Sequence, residues 1–452
     1  EKIQQFLPIR EDEKNKYGEV FTPTTLIEEM LEHLPKEVWS NPNLKWLDPA
    51  NGIGNFPMVV YFRLMKGLEK VIPDVEKRKH HITDNMLYMV ELNAKNVAIS
   101  KKLFGYNANI YCGSFLTEDK RNVNPEVLKK FGIDKFDIII GNPPFQQEAI
   151  NKMGTNAGRK PLWDKFILSS LDILKPEGYL GFITPANWRG LGPEYHIVWD
   201  SLTKKQILYL HIYGEKDGLS YFKVGSRFDL YVLQNKNNIK PTLIIDELNK
   251  TNLIKLDELP FLANYNYNVI NKILTTKDKG VDIIMSYSSY FAYQKNKNMK
   301  KEQTKEFKYP IVHSITNEGV TLWYSNTNKK GHFGIPKVIL NFNRNQYSHK
   351  EQNDYLGKYG MSQISFGIPI KDKHEGDLIL KAIDTPEFKE LIKSTKWSTF
   401  QTDYRMFQYF KKDWYKYFLR KNNKKTSKRK TKHYSISNSS NKKSQKKKNY
   451  SI

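Results

Sequence analysis

Cysteine is almost missing from this chain of 452 residues, with Cys112 standing alone. A single thiol excludes an intramolecular disulfide and any cysteine-cluster zinc site. Long apolar runs are missing as well. No stretch approaches the roughly 20 residues that cross a bilayer as a helix, and residues 1–10 lack the basic-then-apolar plan of a secretory signal. An intracellular, cytoplasmic protein without a membrane partner is the expectation. Acids are scarce beside bases, 48 Asp and Glu against 73 Lys and Arg, which leaves a formal net charge of +25. Such a surplus favours a polyanion, because neutralising phosphates releases condensed counterions. Much of it is gathered at one end. No acid follows Asp413, whereas Lys421, Lys424, Lys425, Lys428, Arg429, Lys430 and Lys432 do. Residues 420–452 therefore read as a basic, disordered tail. Charge points to nucleic acid without choosing a chemistry.

What is present is enough for a core: 39% of residues are hydrophobic and 13% aromatic. The length predicts two or three domains. Apolar runs of strand length recur at 44–47, 86–92, 108–111, 136–141, 179–184, 207–212 and 229–233. Amphipathic stretches such as 25–34, 56–68 and 162–174 lie between them. Alternation of this kind predicts an α/β fold, a mainly parallel, Rossmann-like sheet with helices on both faces. Its ligands belong at the carboxyl ends of the strands. From about 236 the texture changes to Asn, Lys and Tyr. Short β-like pieces at 243–245, 310–314 and 338–342 and a helical pair at 376–383 and 386–393 predict a second, α+β domain. The expected division is 1–235, 236–419 and the tail 420–452.

Three strand ends carry chemistry. The first run leads into Asp48, Pro49, Ala50, Asn51, Gly52, Ile53 and Gly54. Glycines at a strand-to-helix turn let the backbone approach a ligand closely, although a plain tight turn explains two glycines equally well. Asp48 adds a carboxylate able to pair with a cationic amino group. The second run ends in Glu91, placed to accept hydrogen bonds from ribose hydroxyls. Its distance from Gly54 is long for a compact nucleotide-binding unit, and an inserted helix over 71–81 accounts for that. The third and most telling run delivers Asn142, Pro143, Pro144 and Phe145 to the end of a buried strand. The Asn142 side-chain carbonyl and the Pro143 backbone carbonyl can both accept from an NH2 group. Bonding there draws the nitrogen lone pair out of conjugation and aims it at an electrophile. The prolines hold these acceptors rigid, and Phe145 offers a face for a base to stack on.

The order Phe21-Thr22-Pro23, Asp48 to Gly54, Glu91 and Asn142-Pro143-Pro144-Phe145 resembles the gamma class of DNA amino-methyltransferases, especially those of restriction–modification systems. The resemblance covers residues 16–235, about half the chain. It implies a methyltransferase domain that uses S-adenosylmethionine, followed by a target-recognition domain for double-stranded DNA. Phe21, Thr22 and Pro23 would lie over the methionine part of the cofactor. Asp48, Ala50, Gly52 and Gly54 would hold its amino-acid end, and Glu91 its ribose. Asn142, Pro143, Pro144 and Phe145 would form the catalytic loop that receives N6 of a flipped adenine, with Asn142 also bordering the cofactor. No metal is implied. Phe222 matches the aromatic that stacks on the other side of such a base, and reads equally well as a core phenylalanine. One departure stands out. The family commonly places an acid at the end of the third strand, toward the cofactor's adenine, where this chain has Ser114, whose hydroxyl can still accept from that group.

Rival readings share parts of this pattern. RNA and protein-glutamine methyltransferases use a similar Asn-Pro-Pro-aromatic turn, but typically lack both the Phe-Thr-Pro segment and a large following domain; neither feature separates adenine from cytosine, and Phe145 is compatible with either base. A catalytically silent DNA-binding relative would have lost Asn142, Pro143 or the Asp48 loop, and all are intact. No nuclease carboxylate–lysine cluster is evident, so any restriction endonuclease is expected as a separate partner. In the second domain, aromatics and cations at 287–295, 341–350 and 396–409 read either as DNA contacts or as core and solvated face. The stretch 331–345 resembles segments of recognition domains.

Overall fold

A computed structural model describes residues 21–146, 160–285, 298–342, 347–397 and 402–420. Residues 17–20 of the N-terminal segment, the stretch 287–295 and the tail beyond Arg420 lie outside the described residues, as do parts of 331–350 and 396–409.

Ile138, Ile139 and Ile140 are β-branched residues in a run with no polar alternation, the pattern of a strand covered on both faces. They form the centre of β4, Phe136–Gly141. Around it lie β1, Trp46–Asp48, β2, Leu87–Glu91, and β3, Asn109–Cys112. Beyond it come β5, Leu174–Pro185, β6, Lys205–Tyr213, and β7, Phe228–Asn237. Two further strands, β8, Thr242–Ile245, and β9, Thr251–Ile254, complete a nine-stranded sheet in the order 3-2-1-4-5-7-6-8-9. From β3 to β5 every pairing is parallel. β7 enters antiparallel to both β5 and β6.

The helices of this unit are α1, Thr24–Glu32, α2, Asn55–Gly67, α3, Val75–His81, α4, Ala94–Phe104, α5, Pro125–Phe131, α6, Trp163–Asp172, α7, His196–Thr203, and α8, Glu215–Phe222. Alternation along β4 sorts them. Ile138 and Ile140 join the core that also holds Leu26, Ile27 and Met30 of α1 and Val60 and Leu64 of α2. Ile139 points to the opposite face. The helix foreseen over 71–81 is α3, the insertion that lengthens the path from Gly54 to Glu91. Strand order reverses at β1, which has β2 on one side and β4 on the other. The crevice above the ends of β1 and β4 is where such a sheet binds its ligands.

The first compact unit runs to Tyr265 rather than to 235. Residues 243–245, read from sequence as opening the second domain, are β8 and pair in parallel with β6. The compositional shift at 236 marks a change of surface, not the end of the sheet, whose edge at β6 is covered by the added strands. A buried arginine explains why the unit extends further still. Arg189, just past β5, donates from Nε to Asp229 of β7 at 2.7 Å. It also reaches the Leu262 carbonyl at 3.1 Å and Asn264 Oδ1 at 2.9 Å. Arg189 and Asp229 are both fully buried, so the segment 262–264 is bolted to the sheet.

The second unit contains two four-stranded sheets. Strands Tyr309–Ile315 and Lys337–Asn341 fall where the β-like pieces were read. Helices Lys373–Ile383 and Pro386–Ser394 realise the expected pair, each started by a side-chain cap, from Asp372 and Thr385. The α+β reading of this region holds.

Arg189→Ala leaves the Asp229 carboxylate buried without its cation, a loss on the order of 3–5 kcal/mol. Urea denaturation followed by circular dichroism should show that drop, and a change under about 1 kcal/mol would mean the pair is incidental.

Candidate functional site

The loop after β1 is held open by left-handed glycines, Gly52 at φ +57° and Gly54 at φ +96°. Gly54 also lacks space for a side chain, since a Cβ there would stand 2.9 Å from the Phe104 ring. Asn51 pins the loop on two sides, its N–H donating to the Val90 carbonyl at 2.9 Å and its Nδ2 to Ser100 Oγ at 2.8 Å. Glu91, at the end of β2, is spent partly on the same loop. Its Oε2 accepts from the Gly52 N–H and its Oε1 from the Asn93 N–H, both at 2.7 Å. The carboxylate thus fixes the turn at the strand end where the ribose contact is expected.

Asp48 is 2% exposed. Its Oδ1 accepts from the Ala50 N–H at 3.0 Å, and its Oδ2 is buried with no partner among the described residues. Burial pushes the carboxyl up to about 8, against the Ala50 hydrogen bond and with help from the Glu91 charge. Gly141 permits this arrangement. A Cβ on Gly141 would come within 2.9 Å of Asp48 Oδ1, so only glycine lets the end of β4 approach. Sequence reasoning did not single out Gly141. Its signal was a glycine closing a β-branched strand immediately before Asn-Pro-Pro.

Directly after Gly141, Asn142 donates from Nδ2 to Thr22 Oγ1 at 3.1 Å. Its Oδ1 is buried and without a partner among the described residues. Thr22, 4% exposed, is held from the other side by Asn55 Nδ2, which donates to its carbonyl at 3.1 Å. Phe21 is half-buried, and Pro23 caps α1 with its carbonyl. Pro143 is buried, while Pro144 and Phe145 are half-buried, Phe145 against the main core. The far end of this loop is clasped as well. The Leu162 N–H donates to the Phe145 carbonyl at 3.2 Å, beside a bridge between Gln146 and Pro161.

The structure thus brings Thr22, Asp48, Gly141 and Asn142 together, with Glu91 behind the glycine loop. Two expected residues fare differently. Ser114 Oγ donates to the Leu116 carbonyl at 2.7 Å and accepts from the Leu116 N–H at 3.2 Å. Its hydroxyl closes its own turn, and a second acceptor position on the oxygen is left for the cofactor contact expected there. Phe222, at 8% exposure, lies in the core, edge-on to Phe228 at 4.9 Å. Of the two roles left open for it, packing matches the core phenylalanine. The apolar side of α8 has to cover β7, and Phe222 is how it does so. Among the described residues no cluster of His, Cys, Asp and Glu could hold a metal ion. No described helix is long and apolar enough to cross a membrane.

The residues fit S-adenosylmethionine. Asp48 has an unsatisfied oxygen for its ammonium group, and the glycine loop leaves room for close backbone approach. Asp48, Gly52, Gly54 and Glu91 would hold the cofactor, with Phe21, Thr22 and Pro23 alongside.

A Rossmann-like sheet with an Asn-Pro-Pro-Phe loop at its switch point is the class that fold and site define. Residues 72–218, which include Glu91 and 142–145, match the model of the Eco57I restriction-modification methylase family. A curated protein of Mycoplasma pneumoniae, described as an uncharacterized adenine-specific methylase, is 30% identical, over 38% of this chain and 55% of that one. The chain therefore spans about half the length of this relative. Among solved structures, the type IIL restriction-modification enzyme MmeI in complex with DNA gives a TM-score of 0.45 at 13% identity, covering 87% of this chain and 68% of its own. The type IIG restriction endonuclease BpuSI gives 0.43 at 10%, covering 88% and 60%. The M protein of the type I enzyme EcoKI gives 0.37 at 17%, covering 50% and 48%.

Asp48 makes a pH signature. Its folded value, about 8, lies above the unfolded one, so its contribution is full below the ordinary carboxylate range and is lost as pH rises toward 8. The cofactor-free protein should lose melting temperature across that window, and Asp48→Asn should flatten the loss. A wild-type profile no steeper than that of Asp48→Asn would contradict the buried, protonated carboxyl.

Proposed function

We propose that this chain transfers a methyl group from S-adenosylmethionine to N6 of an adenine in duplex DNA, within a restriction–modification setting. The observation that carries the reading is the Asn142 carbonyl oxygen, just past β4, buried and without a partner among the described residues, near the buried carboxyl of Asp48. The match of residues 72–218 supports the same chemistry.

Bound S-adenosylmethionine supplies an electrophilic methyl group on a sulfonium. The chain's own residues prepare the nucleophile. Asn142 Oδ1 and the Pro143 carbonyl accept the two amino protons of the base, which turns the nitrogen lone pair out of the ring system. Pro143 and Pro144 keep these acceptors from relaxing, so their orientation costs little when the base arrives. Phe145 stacks on a base rotated out of the duplex. A nitrogen–carbon bond forms, the carbon–sulfur pair stays on sulfur, and one amino proton is released to solvent. The second unit, from Asn266 on, serves as target-recognition domain, and the basic tail adds sequence-independent attraction to phosphates.

Asn142→Ala should lower transfer by about 10²-fold or more, the scale of losing one preorganised transition-state hydrogen bond, while cofactor affinity by calorimetry stays near wild type. The deciding experiment gives tritiated cofactor with duplex DNA, RNA or protein, followed by mass spectrometry of hydrolysed nucleosides. N6-methyladenine from duplex DNA is expected. Label confined to RNA or to protein glutamine, or N4-methylcytosine as the product, would overturn the substrate assignment.

A further inference from the structure

The contact between Thr22 and Asn142 has a property that neither residue has alone. An asparagine amide presents a carbonyl at one end and an NH2 at the other, and only the carbonyl serves a base amino group. With the amide reversed, NH2 would face NH2. Something has to choose the end. Thr22 is the side chain in contact with the far end of the amide, yet a hydroxyl both donates and accepts. By itself it satisfies either orientation of Asn142 equally well.

What removes the ambiguity is an acceptor for the hydroxyl proton. Among the described residues Thr22 Oγ1 donates to nothing, and its one side-chain partner is Asn142 Nδ2. Thr22 is 4% exposed, so bulk water is largely excluded from it. The methionine end of S-adenosylmethionine carries a carboxylate, a group that can only accept. Once the Thr22 proton is committed to an anion, the oxygen can only accept from Asn142. The amide must then turn its NH2 to Thr22 and its carbonyl to the base.

We infer that Thr22 is a positioning residue whose hydroxyl, fixed as an acceptor by the cofactor's carboxylate, sets the Asn142 amide in the orientation that receives the target base. The inference rests on the methyltransferase reading and adds a coupling to it: cofactor occupancy prepares the base site before any base is there. The backbone is already held for this. Asn55, the first residue of α2, fixes the Thr22 carbonyl, so the hydroxyl has little freedom except rotation of its proton.

The test is the linkage between two binding events, read without turnover. The affinity for a duplex carrying a site that the wild type methylates is measured by fluorescence anisotropy, with and without saturating S-adenosylhomocysteine, which keeps the carboxylate. The wild type should bind about tenfold tighter with the compound present, within the usual range of coupling between sites. Thr22→Val, of nearly the same shape, should lose that gain, and Thr22→Ser should keep it. Melting temperatures and S-adenosylhomocysteine affinities of both variants show that they fold and are saturated. Wild-type methylation with the full coupling retained in Thr22→Val, or lost equally in Thr22→Ser, would overturn the inference and leave the proposed function standing. Absence of methylation of any duplex by the wild type would overturn both.

Discussion

Asp48 carries a carboxylate into the point where the sheet reverses its order, and the surroundings follow from that. Burying such a group is costly unless it finds a partner or a proton. In this chain it finds one backbone N–H, from Ala50, and no further donor among the described residues, so burial leaves it holding its proton up to a value of about 8. Its neighbours are arranged so that the shortage persists. Glu91 is near enough to raise it further, yet has its own oxygens tied to Gly52 and Asn93. Gly141 withholds a side chain that would have filled the approach. The energy of leaving Asp48 unsatisfied is therefore stored where a cationic ligand can recover it, an electrostatic reason for a site at the ends of β1 and β4.

The segment ahead of α1 is the second constraint, and it is fixed from a distance. Glu29, on α1, accepts from the Tyr209 hydroxyl at 2.8 Å and His211 Nδ1 at 2.6 Å, and also from the Tyr213 hydroxyl. Burial works to raise its carboxyl, but donors from His211 and Tyr213 hold it below the ordinary range. Burial, with Glu29 beside them, pushes the hydroxyls of Tyr209 and Tyr213 up in turn. This cluster anchors α1 to β6, and Pro23 and Thr22 sit at the start of that helix. Thr22 and Pro23 are held in place because the helix they lead into is tied to a strand about 180 residues later.

Legibility in the sequence followed the range of the interaction. Strands such as β4 and the insertion α3 were readable because periodicity, apolar runs and charge density are local. The Asn142 loop stood out because rigid prolines beside an asparagine and an aromatic have few other uses. Glu29 was not, since on an amphipathic helix it looks like any solvated charge until β6 is folded beneath it. Nor was the true end of the first unit, which depends on Arg189 reaching Leu262 and Asn264 across some 75 residues. Phe222 remained ambiguous for the same reason. One aromatic at the end of a helix serves a core or a base equally well, and only its neighbours Tyr221 and Phe228 decide.

Two buried oxygens without a partner among the described residues, Asp48 Oδ2 and Asn142 Oδ1, define what this crevice selects better than its shape does. Asn142 Oδ1 only accepts, and Asp48 Oδ2 does so once its carboxyl gives up the proton that burial favours. A ligand lacking donors would leave them unpaired and lose the desolvation cost of each. The site therefore discriminates in favour of molecules that bring N–H groups to both places, one cationic and one neutral. On the proposed function, an ammonium group and a base amino group would meet those demands separately, so a donor and an acceptor of a methyl group would not compete for the same residues. Gly141 stands between them in sequence. Its missing side chain lets one strand end serve Asp48 with its last residue and Asn142 with the next.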